Sequence, residues 1–109
     1  MAETRLRVVL VTTPPEAGPS IARTLVEERL VACVNMTPVR SVYRWEGAVE
    51  EEAEQLLIMK TSADRLPALE TRLVALHPYD CPEFIALDVS NGAEAYLRWV
   101  AAEVRPCAE

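Results

Sequence analysis

The chain has 109 residues, the length of one domain, with half of them apolar and 26% charged. A protein of this size hides roughly 65% of its unfolded surface, enough for one core without metal or disulfide staples. Its net charge of −6 and the absence of a basic cluster argue against nucleic acid as a partner, since that binding depends on cations that displace phosphate counterions.

The amino-terminal residues Met1 to Arg5 include an acid and lead into no apolar signal segment. No run approaches the roughly 20 apolar residues that a membrane helix needs. The expectation is a single soluble domain over residues 1–109, cytoplasmic, with no membrane partner. The three cysteines, Cys33, Cys81 and Cys107, form no C-x-x-C pair and are expected to be reduced and mostly buried.

Arg5 to Thr13 predicts a strand that is apolar on both faces, stopped by Pro14-Pro15. A helix is predicted from about Ala17 to Leu30, with Ile21, Ala22, Leu25, Val26 and Leu30 on its apolar stripe. A second strand begins near Val31 and runs to Met36. Pro38 then implies an edge or a bulge, because it cannot donate to a ladder. Extended chain resumes from Arg40 to Trp45, Glu46-Gly47 turns it, and the return arm runs from Val49 to about Thr61.

Arms of about 13–15 residues give a ribbon of roughly 45 Å at ~3.3 Å per residue. A domain of this length has a radius of gyration near ~13 Å, so a straight ribbon overhangs its own body and calls for a partner subunit. A further helix is predicted from Leu66 to His77, with Leu66, Leu69, Leu73 and Leu76 at helical spacing and Pro67 in the first turn. His77 to Pro82 reads as a rigid loop and Glu83 to Val89 as the last strand. Asn91, with Glu94 three residues on, signals the cap of a terminal helix from about Ala93 to Val104. The resulting order, β-α-β-β-α-β plus a helix, is an α+β, ferredoxin-like sandwich with an extended central hairpin and a C-terminal helix. Its helices cover one sheet face, and the apolar residues on the other call for sheet-to-sheet packing between subunits.

Several residues stand out chemically. Tyr43 and Trp45 share a strand face and either line a ligand cleft or pack in a subunit contact. Glu50, Glu52 and Glu54 also share a face, as a cation-holding row or as charges that block unwanted strand pairing. His77, the one histidine, is either a helix-end cap or a metal ligand. Lys60, the one lysine, is an anion contact or a snorkelling side chain. No phosphate loop, nucleophile elbow or dinucleotide fingerprint is present, and no enzyme is expected.

Taken together, Val31-Ala32-Cys33-Val34-Asn35, Ser41-Val42-Tyr43-Arg44-Trp45-Glu46-Gly47, Leu57-Ile58-Met59-Lys60-Thr61, Leu76-His77-Pro78-Tyr79, Pro82-Glu83 and Tyr96-Leu97-Arg98-Trp99 resemble the CutA family of divalent-cation tolerance proteins. The resemblance runs along essentially the whole chain. It implies a homotrimer with hairpins reaching across neighbours, a part in the response to metal ions, and no established catalysis or required cofactor. It also implies a ligand cleft between subunits, onto which Cys33, Tyr43, Trp45, Lys60 and Tyr79 map, with His77. Of the copper ligands proposed in some bacterial members, only His77 is matched, because Thr12 and Leu76 replace the others. Any Cu²⁺ binding is therefore expected to be weak and centred on His77, with carboxylates from another subunit. The alternative is an anion or metabolite site in that cleft, served by Lys60.

Overall fold

The computed structural model describes residues 5–106. Its first strand, β1 (Leu6–Thr13), is central, hydrogen-bonded on both sides. The β-branched run suits this place, since a strand with neighbours on both sides and helices packed on one face presents little polar surface. Helix α1 (Gly18–Glu27) follows, shorter than the predicted 17–30. It starts where a Cβ on Gly18 would lie 2.9 Å from Thr13 Oγ1, so only glycine allows so close an approach to the sheet.

The end of α1 is set by Arg29, whose φ is +60°. The Arg29 and Leu30 amides donate back to Val26 and Leu25 at 3.0 Å, closing the helix in a Schellman arrangement without glycine. The Arg29 side chain gives the strained position a purpose. Its guanidinium donates to the carbonyls of Arg105 (2.9 Å) and Ala102 (3.1 Å) at the end of the terminal helix.

The hairpin consists of β2 (Cys33–Trp45) and β3 (Ala48–Ser62), turned by Glu46 and Gly47 at φ +49° and +83°. Positive φ at both central residues is the type I′ geometry that suits the twist of a two-residue hairpin. The second strand starts at Cys33 rather than Val31, and the register from Cys33↔Lys60 to Trp45↔Ala48 skips no residue. Pro38, opposite Gln55, therefore marks an edge and not a bulge. A 3-10 turn (Ala63–Arg65), α2 (Leu66–Leu76), β4 (Ile85–Asp88) and α3 (Glu94–Glu103) complete the order. The predicted Asn91 cap is not made. The Asn91 Oδ1 accepts from the Gly92 amide at 2.9 Å, and Ala93 is the residue before the helix.

The four strands form one antiparallel sheet in the order β2-β3-β1-β4, the ferredoxin-like arrangement. Val9, Val11, Leu57 and Met59 point to one face and pack against Ile21 and Leu25 of α1 and Leu69 and Leu73 of α2. Val26, expected on the buried stripe, is 39% exposed. On the opposite face α3 covers one end only, through Val100 and Val104 against Leu6 and Ala32. The rest of that face is open: Val8, Leu10 and Ile58 are half-buried, and Ile85 and Leu87 are 47% and 46% exposed.

β1 pairs with β3 only from Gln55 to Ser62. Beyond Gln55 the hairpin is a bare two-stranded ribbon, and the molecule reaches 50 Å along its longest axis. Val42 and Val49 on this ribbon are 64% and 66% exposed. An isolated hairpin is marginal in water, and inside one chain the overhang foreseen from the sequence is met only on one side, by the loop after α2.

Candidate functional site

Strand alternation distributes the candidate residues over the open face. Odd residues of β2 and even residues of β3 point to it, so Cys33, Tyr43 and Trp45 share it with Glu50, Glu52, Glu54 and Lys60. They do not form one cluster. Lys60 and Glu54 lie six residues apart on β3, roughly 20 Å at ~3.3 Å per residue.

The first group is basic and soft. Cys33 and Lys60 are direct cross-strand partners, with Nζ 3.8 Å from Sγ. Lys60 also donates to the side-chain oxygen of Asn35, which is on the same face two residues after Cys33. From α3, Tyr96 closes the group. Burial and the neighbouring Cys33 hold its phenol above the ordinary range.

The second group lines a cavity of about 590 Å³ between the hairpin and the loop after α2. Tyr43, Trp45, Glu50, Glu52 and Glu54 form the hairpin wall, and Tyr79, Asp80, Cys81 and Glu83 the loop wall, with Thr12 at the end of β1. The Tyr43 hydroxyl donates to Glu52, a bond that pushes the phenol up to about 12. Glu54 is 5% exposed and accepts from the Tyr79 hydroxyl at 2.9 Å. Desolvation, then that bond, raises the Tyr79 phenol further. Burial and the Glu54 charge raise the carboxyl of Glu83. Five carboxylates line this space with no basic residue among them, and no ion pair among the described residues reaches any of the five.

His77 holds the loop wall in place. It is 7% exposed, its Nε2 lies 2.8 Å from the Thr12 carbonyl, and its Nδ1 accepts from the Tyr79 amide at 3.1 Å. These contacts fix the ring as the Nε2–H form, and neither nitrogen has a free lone pair for a metal. The Tyr79 ring stacks at 4.7 Å from the imidazole, tilted by 48°. Thus the helix-end histidine caps a loop and not the helix carbonyls, because Pro78 turns the chain away at once.

One expectation needs correction. The thiols are not mostly buried: Cys81 is exposed in the loop and Cys33 half-buried at the sheet edge, while Cys107 lies outside the described residues. Among the described residues, no group of three or more His, Cys, Asp or Glu side chains is arranged to hold a metal ion. Asp80, Cys81 and Glu83 were not placed in the cleft from the sequence, since the loop's approach to the hairpin is long-range. Asn35 was legible in principle, from strand parity with Cys33.

The comparisons with known proteins agree with this fold. The family described as CutA1 divalent ion tolerance protein matches residues 7–103. A relative from Thermus thermophilus, named divalent-cation tolerance protein CutA, is 50% identical over 85% of this chain and 92% of its own length. A Pyrococcus horikoshii protein of the same name is 40% identical over 90% of this chain and 98% of its own. The chain spans only 55% of the Arabidopsis thaliana relative named Protein CutA, chloroplastic, at 46% identity over 90% of this chain. Among solved structures, the Thermus thermophilus divalent cation tolerance protein superposes with a TM-score of 0.89 at 46% identity, covering 92% and 99% of the two chains. One described as a PII-like protein CutA from Nostoc sp. gives 0.89 at 44% identity, over 93% and 99%. This chain belongs to the CutA1 family of divalent ion tolerance proteins.

Proposed function

We propose that this chain works as a cytoplasmic homotrimer in the response to divalent metal ions, without catalysis, and that it meets cations such as Cu²⁺ weakly. The observation that carries the reading is the cavity with five carboxylates and no basic residue in its lining. Such a space concentrates cations, and since its carboxylates form no ready-made metal-holding group among the described residues, it suits loose, partly hydrated contact rather than a tight cage. Metal contact then falls on the Glu50, Glu52 and Glu54 row, since the His77 imidazole reaches a cation only by giving up one of its backbone partners.

Assembly is supported by the open sheet face and the overhanging ribbon, which leave Val42, Val49, Ile85 and Leu87 in water in the single chain. It would also join the two groups of cleft residues that the protomer keeps apart. Light scattering should give three times the 12.1 kDa chain mass. A monomer would end the assembly reading. Calorimetric titration with Cu²⁺ tests the metal reading on wild type, His77→Ala and a Glu50→Gln/Glu52→Gln/Glu54→Gln variant. Weak binding lost in the carboxylate variant is the expected result. A loss seen only in His77→Ala moves the metal to the imidazole, and equal affinities in all three overturn both placements.

One observation favours a second reading. Lys60, Asn35 and Tyr96 converge at the opposite end of the face, where an anionic metabolite would find donors. A melting-shift screen with Lys60→Ala tests it; unchanged shifts remove the idea.

A further inference from the structure

Neither the cation reading nor the assembly reading uses the pairing of the chain's one lysine with a cysteine. Cys33 and Lys60 face each other across β2 and β3, and their reactive atoms are 3.8 Å apart. The strand register fixes both Cβ positions, while the four-carbon stem of lysine lets Nζ close the remaining gap. Asn35 holds Nζ over this spot, so the amine is already where an oxidised sulfur would form. The exposed thiol Cys81 offers a contrast inside the same molecule. It opens on a cavity lined by carboxylates and has no amine beside it.

We propose that Cys33 and Lys60 are an oxidant-responsive pair, closed by hydrogen peroxide into a sulfenamide bond between Sγ and Nζ. In the first step an S–O bond forms at Sγ as the peroxide O–O bond breaks, and the second oxygen leaves as water. Cys33 is then a sulfenic acid, the rung of thiol oxidation from which condensation with nitrogen is open. In the second step Nζ, after losing a proton to solvent, uses its electron pair to form the S–N bond. The S–O bond breaks and the hydroxyl departs as water with a second proton from nitrogen. The sum is thiol, amine and peroxide giving sulfenamide and two waters, with sulfur oxidised and peroxide reduced.

The bond staples β2 to β3 at the base of the projecting hairpin and withdraws the one ammonium from the open face. It leaves the acidic cavity unchanged. A thiol reductant reverses it by attacking sulfur and releasing the amine.

The test uses the purified full chain in mildly alkaline buffer with hydrogen peroxide. After quenching, the protein is denatured, its free thiols are alkylated, and it is cut with a lysine-specific protease, which has one site, after Lys60. The expected product has lost two hydrogens, is not alkylated at Cys33, and is no longer cut after Lys60; dithiothreitol restores the mass and the cleavage. Cys33→Ser should remain cleavable. Lys60→Arg, which keeps the charge but lacks the nucleophile, should instead show a dimedone-reactive Cys33 by tryptic mapping, as Cys81 does in wild type. The proposal is overturned if wild-type Cys33 carries one, two or three oxygens with Lys60 still cleavable. It is equally overturned if Cys33 forms a disulfide, or if a Cys33–Lys60 link retains oxygen.

Discussion

Replacing His77 offers the most direct test of how the loop wall is built. His77→Ala removes both ring nitrogens and leaves the Thr12 carbonyl and the Tyr79 amide without these partners. An unsatisfied buried backbone group costs about 1–3 kcal/mol, and the side chain is 7% exposed, so water replaces it incompletely. The two losses together should lower stability by about 2–4 kcal/mol, including a small packing term where the Tyr79 ring loses its neighbour. Urea unfolding reads the effect, with protein concentration held fixed because the proposed assembly would add a concentration-dependent contribution. Two further variants divide the total. Asn can keep an acceptor near Nδ1 for the Tyr79 amide, and Gln can place a donor near Nε2 for Thr12. Each should recover part of the loss. If Ala, Asn and Gln all unfold within about 0.5 kcal/mol of wild type, the imidazole is not what fixes this loop.

Arg29→Ala should cost about 1–2 kcal/mol in the same assay, because it removes two charged hydrogen bonds to the end of α3 and keeps the left-handed backbone. Arg29→Gly should cost less, since it loses those bonds but relieves the strain; an order reversed between the two would refute this. All three tyrosines are held above the ordinary 10, Tyr43 and Tyr79 well above it, so those two should contribute no tyrosinate step near that pH in the folded protein. The linkage sign is that the folded phenols keep protons the unfolded chain releases. Stability from them is full below pH 10 and falls as pH rises through their folded values, with Tyr43 reporting near 12 and shifting down in Glu52→Gln. Glu83 carries a raised carboxyl, so its ionisation opposes folding at neutral pH. Glu83→Gln should raise the melting temperature at pH 7 and lose that advantage below the ordinary value of 4.5. Trp45→Ala should loosen assembly, and an equally stable trimer would count against the ribbon's role there.

Much of the architecture is legible because it rests on short-range rules. The double-faced apolar run of β1, the leucine spacing of α2 and Glu46-Gly47 each specify an element before any tertiary contact exists. The failures share a different cause. Asn91 found a nearer donor in the Gly92 amide than the helix it was expected to cap. Arg29 ends α1 where no glycine signals a stop, because its side chain is held by α3, far along the chain. For His77, open from the sequence as a helix-end cap or a metal ligand, nothing local shows that Thr12 and Tyr79 meet its two nitrogens.

The separation of the candidate residues follows from the same sheet. Strand register puts Cys33, Tyr43, Trp45 and Lys60 on one face, but parity is silent about distance along that face. The hairpin is long enough to place its soft, basic end beside α3 and its acidic end beside the His77 loop. A cleft containing all the expected residues therefore cannot be a property of one chain. A closed ring of identical subunits brings unlike parts of neighbouring surfaces together, which is the geometry needed to set the Lys60 end of one copy near the carboxylates of the next. Charge supports that arrangement: packing the acidic end against its own kind would place carboxylates against carboxylates, whereas the unlike contact supplies each with a cation. Raising the salt concentration should then weaken assembly of wild type more than that of Lys60→Ala, because the screened attraction is absent in the variant. Equal salt dependence of the two would leave the ring without this contact.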